Sequence, residues 1–135
     1  MKKRSIETRT STLEVLRIAA NRRRGVFARV DFEQDELIER SPIVLVPASQ
    51  LPLIQQTDLW DHWIYWDNDE SELAFPLGFG SLYNHSFTPN AVCDTNYSLE
   101  VLDFYAIRPI NAGEELTINY NGCPDDRGPM WFDMD

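Results

Sequence analysis

Short runs in which apolar and polar residues alternate fill most of the chain, and turn-forming residues separate them. This pattern is typical of β-strands, because successive side chains of a strand point to opposite faces of a sheet. We predict strands over residues 13–18, 26–30, 37–39 and 43–46. Pro42 lies between the last two, and a proline there indicates a break or a sheet edge.

A longer alternating run covers residues 97–106. Leu102 and Phe104 fall on one face of this run, and Val101 and Tyr105 fall on the other. Both faces are largely apolar, which is typical of a strand that is covered on both sides. We therefore predict one central strand over the whole run.

The last strand is predicted over residues 115–120, directly after a turn at residues 111–113. Leu116, Ile118 and Tyr120 then share one face of the strand. A buried tyrosine needs a partner for its hydroxyl group, so Tyr120 taken alone is more typical of a core residue than of a catalytic one.

One helix is predicted, over residues 57–66, because Trp60 and Trp63 are spaced at i and i+3. Aromatic residues at this spacing usually pack in a core, and we prefer that interpretation to a ligand platform. Residues 67–72 are acidic and polar, and we expect a solvated loop there.

The composition favours one globular domain with a negative charge. The chain has 135 residues, with 22 acidic and 12 basic side chains and a formal net charge of −10. Such a charge disfavours direct binding to nucleic acid and favours a cationic partner. Solubility alone explains the charge equally well, so both interpretations stay open.

Cysteine and histidine are too few to suggest a metal site or a disulfide scaffold. Cys93 and Cys123 form no CxxC pair, and the only histidines are His62 and His85. Residues 1–10 are polar, with no apolar core of a signal peptide, and no apolar run is long enough to span a membrane. We therefore expect an intracellular protein without a metal and without contact to a membrane.

Two short segments carry the strongest functional signal. Residues 84–90 read Asn-His-Ser-Phe-Thr-Pro-Asn, and residues 113–120 read Gly-Glu-Glu-Leu-Thr-Ile-Asn-Tyr. A basic turn with the sequence Arg-Arg-Gly-Val-Phe precedes both, at residues 23–27. In this order the three segments resemble the SET domain of protein-lysine methyltransferases, over about residues 13–132.

The resemblance implies a mostly β fold of small sheets with a C-terminal pseudoknot and one short helical insert. It implies a single domain over residues 1–135, with a variable insert at 58–75 and a closing segment at 121–135. The C-terminal threading would bring Asn84 and His85 beside Tyr120.

The resemblance also implies S-adenosylmethionine as cofactor and transfer of its methyl group to a lysine amine of a protein, for which a basic, histone-like tail is the expected substrate. Tyr120 would be the catalytic residue. It would orient the amine rather than act as a base, because a tyrosine pKa near 10 suits a base poorly. The cofactor residues would be Arg23, Arg24, Gly25, Val26, Phe27, Tyr83, Asn84, His85, Tyr120 and Trp131, and the lysine channel would be lined by Tyr65, Cys93, Ile118 and Tyr120.

The sequence departs from the family pattern at several positions. Arg23 replaces the first glycine of the expected Gly-x-Gly turn, Asn119 replaces the usual aspartate before the tyrosine, and Cys93 stands where some members carry a channel aromatic. The zinc-binding tail of many members is absent, and Trp131 is expected to stack on adenine, to cover the channel or simply to anchor the tail. The alternative function is a catalytically silent SET-like module that binds a protein partner; the methylation state and the oligomeric state stay open.

Overall fold

The computed structural model describes residues 6–18 and 23–130, and most of its regular elements are strands. A 3-10 turn at Ala48–Gln50 leads into a four-residue helix, α1, at Leu51–Ile54. The mostly β fold is therefore confirmed. The strands are β1 Ile6–Arg9, β2 Leu13–Ile18, β3 Arg23–Ala28, β4 Leu37–Pro47, β5 Ile64–Tyr65, β6 Glu72–Pro76, β7 Asn84–His85, β8 Ala91–Asn96, β9 Val101–Ala106 and β10 Glu115–Ile118.

The first sheet has the strand order β1-β2-β3-β10-β7. Strand β10 pairs antiparallel with β3, where Leu116 lies opposite Val26, and parallel with β7, where Thr117 lies opposite Asn84. The last strand of the chain is thus inserted between an early strand and a short strand from the middle of the chain. Such an insertion is what the predicted C-terminal threading requires.

The second sheet has the strand order β5-β6-β4-β9-β8, and β4 is its longest strand. The two strands predicted over 37–39 and 43–46 are one strand, so the predicted break is wrong. Pro42 is the last residue of β4 that pairs with β9, and Ile43 is the first that pairs with β6. The proline therefore lies where the strand changes partners, and the chain itself stays extended.

The single strand predicted over 97–106 is instead the turn at residues 97–100 and the second strand, β9, of a hairpin that begins with β8. Strand β8 pairs antiparallel with β9, and the turn between them contains Glu100 with a positive φ of 53°. Asn96 begins the turn, because its side-chain Oδ1 accepts the N–H of Leu99 at 3.2 Å. The part of the prediction that concerns β9 holds, since β9 lies between β4 and β8 and Leu102 and Phe104 are each 1% exposed.

The helix predicted over 57–66 is wrong, and the short helix lies earlier in the chain, at α1. Residues 57–62 form successive turns, in which Trp60 donates its N–H to the Thr57 carbonyl and His62 donates to Leu59. Strand β5 follows and pairs with β6. This pairing fixes an extended backbone at the end of the segment and leaves too few residues for a stable helix.

The two sheets share one hydrophobic core, to which β2, β3 and β9 contribute most. Val15, Val26 and Leu116 are completely buried in it. In the part of the chain that the structure describes, none of the helices has the length and apolar character that crossing a bilayer requires.

Candidate active site

The two motif segments meet at the C-terminal end of β10. Strand β7 consists of Asn84 and His85 alone, and it runs parallel to Thr117 and Ile118 of β10. Two residues further on, the backbone of Tyr120 reaches the side chain of His85. The structure therefore brings together the three residues that the sequence predicts side by side.

His85 fixes the backbone of Tyr120. Its Nδ1 accepts the N–H of Tyr120 at 3.0 Å, and the centroids of the two rings are 5.3 Å apart. The edge of Phe87 packs against the same imidazole, with the centroids 4.5 Å apart. Burial lowers the pKa of His85, which favours the neutral ring that this acceptor role requires. The sequence did not reveal that His85 holds Tyr120 in place.

The hydroxyl of Tyr120 is also fixed. It donates to the backbone carbonyl of Tyr83 at 2.5 Å, while the ring keeps 37% of its surface exposed. The side chain of Tyr83 points the other way, into the core, where its hydroxyl donates to Glu39 at 2.6 Å and its ring stacks on Phe104. Tyr83 therefore contributes its carbonyl to the site, whereas its side chain is only 1% exposed.

A cavity of about 360 Å³ opens beside Tyr120. All four residues predicted for the lysine channel, Tyr65, Cys93, Ile118 and Tyr120, line this cavity. Burial raises the pKa of the Cys93 thiol to about 12, so the thiol is uncharged at neutral pH. Most of the other lining residues are apolar or aromatic, among them Trp63, Ile64, Pro76, Ala91, Val92, Leu102, Phe104 and Pro124.

Asn84 lies outside that lining, and its side chain reaches past the end of the β3–β10 pairing to the backbone of β3. Its Nδ2 donates to the Arg24 carbonyl at 2.8 Å and to Glu115 Oε2 at 2.6 Å. A Cβ atom at Gly25 would overlap the Glu115 carboxylate and lie 3.1 Å from Asn84 Nδ2. A side chain at residue 25 would therefore have to displace the Glu115 carboxylate from its place beside Asn84, a consequence that the sequence did not indicate.

The predicted cofactor turn divides into two parts. Arg24 and Gly25 pair with β2, and within residues 6–18 and 23–130 no strand pairs with them on the side of Asn84. Val26 and Phe27 have β2 on one side and β10 on the other, and they are 0% and 6% exposed. The side chains of these two residues are therefore enclosed between strands, and their assignment as cofactor contacts stays a prediction. The side chain of Arg23 and the whole of Trp131 lie outside the described residues.

Asn90 is a residue of the site to which the sequence reasoning gave no role. It is 2% exposed, and its side-chain amide forms hydrogen bonds with the backbone of β10, as a neighbouring strand would. Its Nδ2 donates to the Glu115 carbonyl at 2.8 Å, and its Oδ1 accepts the N–H of Thr117 at 2.9 Å. The pairing fixes β10 three residues before Tyr120.

A family model of the SET domain matches residues 23–121, which is most of the chain. The chain belongs to the SET-domain family. The resemblance that the motif segments carry is thereby confirmed, together with the class of protein-lysine methyltransferase that it implies.

Relatives of this SET domain agree with the match. A histone-lysine N-methyltransferase of Schizosaccharomyces pombe, specific for lysine 37 of histone H3, is 29% identical over 124 residues. The aligned region covers 91% of this chain and 78% of that protein.

Solved structures share the fold of this SET domain. A Plasmodium falciparum protein that is provisionally assigned as a histone methyltransferase superposes with a TM-score of 0.66 at 26% identity, over 91% of this chain and 98% of that one. The Polycomb Repressive Complex 2 of Chaetomium thermophilum, in an autoinhibited conformation bound to S-adenosylmethionine, superposes with a TM-score of 0.65 at 22% identity. This second match covers 81% of our chain but 15% of the other, and at that identity it supports the fold alone.

Proposed function

We propose that this SET domain transfers a methyl group from S-adenosylmethionine to the side-chain amine of a lysine in a basic, histone-like protein segment. The observation that carries the proposal is the position of Tyr120 at the boundary of two surfaces. One surface is the apolar cavity lined by Tyr65, Cys93 and Ile118. The other is the polar edge at Asn84, which lies outside that lining.

The residues at the polar edge fit the cofactor. Both protons of the Asn84 amide are donated to protein acceptors, which orients Oδ1 as an acceptor suited to the ammonium of a methionine group. Among the described residues no strand pairs with Arg24 and Gly25 on the side where Asn84 binds the Arg24 carbonyl, and an arginine suits the carboxylate of that same group. When bound, S-adenosylmethionine would supply a methyl group on a sulfonium: a neutral amine would form the new bond to the methyl carbon while the methyl–sulfur bond breaks, and S-adenosylhomocysteine would leave as the neutral thioether.

The apolar lining of the cavity favours the neutral form of a substrate lysine amine. A free lysine has a pKa of about 10.4, and an apolar surrounding lowers it because the charged form loses hydration. Among the described residues, the lining contains one carboxylate, that of Asp61, and neither lysine nor arginine. The uncharged thiol of Cys93 adds no charge that would stabilise the ammonium.

Tyr120 orients the amine in this proposal. Its hydroxyl proton is committed to the Tyr83 carbonyl. The lone pairs of a hydroxyl oxygen accept N–H groups, so an amine that donates to this oxygen directs its own lone pair elsewhere. Alignment of this kind contributes several kcal/mol to a displacement reaction.

The charge of the insert supports a basic substrate. Residues 58–72 contain six acidic side chains and no lysine or arginine, and Asp61 reaches the cavity lining. A field of one sign attracts a cationic segment and weakens as salt is added. The Schizosaccharomyces pombe relative, which acts on histone H3, supports the same class of substrate and an intracellular site of action.

The test compares the wild type with Tyr120→Phe. Calorimetry should detect S-adenosylmethionine binding to both proteins with similar affinity, because the hydroxyl faces the amine. An array of basic peptides with labelled cofactor should show transfer by the wild type and a loss of at least about 100-fold in the variant, equivalent to about 2.7 kcal/mol. If the wild type neither binds the cofactor nor methylates any peptide, the silent interaction module is the correct function.

A further inference from the structure

A loop at the end of the chain forms one wall of the cavity. Asn121, Gly122 and Pro124 belong to this wall, although residues 121–128 contain no regular secondary structure. Most of the loop is exposed, so hydrophobic burial does not explain its position. Other contacts must hold it beside Tyr120.

The amide of Asn119 supplies those contacts. Its Nδ2 donates to the carbonyl of Asp126 at 2.7 Å and to the carbonyl of Pro124 at 3.3 Å. Its Oδ1 accepts the N–H of Asn121 at 3.0 Å. Asn119 is 6% exposed, so these bonds form where water competes little.

A second, exposed amide closes the other end of the loop. Asn121 donates from Nδ2 to the carbonyl of Gly128 at 3.0 Å, and Asp126 donates its N–H to Cys123 at 3.1 Å. These bonds begin within two residues of Tyr120, so the loop is attached directly to the segment that carries the tyrosine.

We infer that Asn119 is a positioning residue that holds residues 121–128 as a wall of the lysine channel. The inference rests on the proposed function for the identity of the channel. The geometry requires an amide at this position, because a carboxylate is only an acceptor and would face the two carbonyl oxygens of Pro124 and Asp126. The exchange of the usual aspartate for Asn119 therefore adds hydrogen-bond donors and also removes a negative charge.

The test uses Asn119→Asp, which conserves shape and removes both donors. Asn111→Asp adds the same charge at an exposed turn and serves as the matched control. Trypsin cleaves after Arg127, inside the loop, and intact-mass spectrometry follows release of residues 128–135. We expect cleavage at Arg127 to be at least about ten-fold faster in Asn119→Asp than in the wild type, because local opening exposes the bond, and to be unchanged in Asn111→Asp.

Kinetics separate positioning from a general loss of structure. With a methylated peptide as readout, the KM of Asn119→Asp for the peptide should rise about ten-fold while kcat changes by less than about three-fold. Global destabilisation would instead lower kcat through the active fraction and leave KM unchanged. Asn121→Asp, which removes only the exposed bond to Gly128, should shift both readouts in the same direction by a smaller factor, and it replaces Asn119→Asp if that variant does not fold.

Two results would overturn the inference. Equal cleavage at Arg127 in the wild type and in both loop variants would mean that the amides do not hold the loop. Faster cleavage with an unchanged peptide KM and a reduced kcat would mean that Asn119 has only a structural role. If the wild type transfers no methyl group, the proposed function fails by itself, while the cleavage ratio still decides whether Asn119 holds the loop.

Discussion

Asn90 offers a direct way to test how β10 is held. Asn90→Ala removes a donor to the Glu115 carbonyl and an acceptor from the Thr117 N–H, both of them inside the protein, where Asn90 is 2% exposed. Each backbone group that loses its partner costs roughly 1–3 kcal/mol. The variant should therefore lose roughly 2–6 kcal/mol of its free energy of unfolding, before any relaxation lets water in.

The assays are urea unfolding, which gives the free energy of unfolding, and thermal unfolding, which gives Tm, each followed by fluorescence for the wild type and the variant. For a domain of this size, about 1 kcal/mol corresponds to about 4 °C in Tm, so Tm should fall by roughly 8–24 °C. The peptide kcat should fall as well, because Tyr120 lies three residues beyond Thr117 and depends on the register of β10.

Asn90→Asp is the informative control. It keeps an acceptor for the Thr117 N–H, but at neutral pH it places a carboxylate against the Glu115 carbonyl. We expect it to be at least as destabilising as Asn90→Ala at neutral pH and milder in acid, where a protonated carboxyl donates again. If Asn90→Ala lowers the free energy of unfolding by less than about 0.5 kcal/mol, the idea that the Asn90 amide holds β10 in place is refuted.

Three further predictions concern the remaining parts of the site. Gly25→Ala should weaken S-adenosylmethionine binding about ten-fold, because the added methyl group displaces the Glu115 carboxylate. In calorimetry, the double variant Gly25→Ala with Glu115→Ala should bind the cofactor no worse than Glu115→Ala alone. Additive losses of affinity would contradict this explanation. Iodoacetamide at about pH 8 should modify the exposed Cys123 and spare Cys93, because burial raises the pKa of the Cys93 thiol to about 12. In folded Cys123→Ser only Cys93 remains, so rapid labelling of that variant would contradict the burial of Cys93. Burial lowers the pKa of His85 in the folded protein, so the unfolded chain binds the proton more readily. The stability that neutral His85 contributes is therefore lost as the pH falls below 6.5, the ordinary pKa of histidine. Urea unfolding at about pH 7.5 and about pH 5.5 should therefore differ less for His85→Asn, which keeps an acceptor without titrating, and an equal difference in both proteins would show that His85 is not responsible.

The sequence was sufficient to predict which motif residues meet, because motifs with a fixed order specify them. Asn84, His85 and Tyr120 come together as predicted, and the four channel residues line one cavity. Their partners were not predictable, since each depends on a contact between distant parts of the chain. The bond from Asn90 to the Glu115 carbonyl, for example, spans 25 residues.

The fold was predicted in class but not in detail. The alternating pattern gave β2 with its observed bounds, whereas the tryptophan spacing gave a helix where the chain forms turns and β5. Trp60 is 49% exposed and Trp66 is 6% exposed, so the aromatic side chains of this segment do not share one buried face. Pairing of β5 with β6 decides the conformation there, and a local pattern contains no information about that pairing.

Besides Tyr120, the structure describes the side chains of seven predicted cofactor residues. These seven residues differ in how accessible they are to a ligand. Asn84 is half-buried and Gly25 has a paired strand on one side only, whereas Val26 is completely buried because a strand covers it on each side. Alternation identifies residues 26 and 27 as part of a strand, but it does not tell which residues of that strand have a paired neighbour on each side. That information came from β10, which pairs with β3 only as far as Val26.

The central claim is that Tyr120 aligns a lysine amine in the cavity with a methyl donor at the polar edge. The most direct measurement is the intact mass of one basic lysine peptide after incubation with S-adenosylmethionine and either the wild type or Tyr120→Phe. We predict a mass increase of one or more methyl groups with the wild type and at least about 100-fold less product with the variant, at matched folding and cofactor binding. Equal methylation by the two proteins would contradict the role of Tyr120, and the absence of product from both, with the cofactor bound, would contradict methyl transfer to this class of substrate.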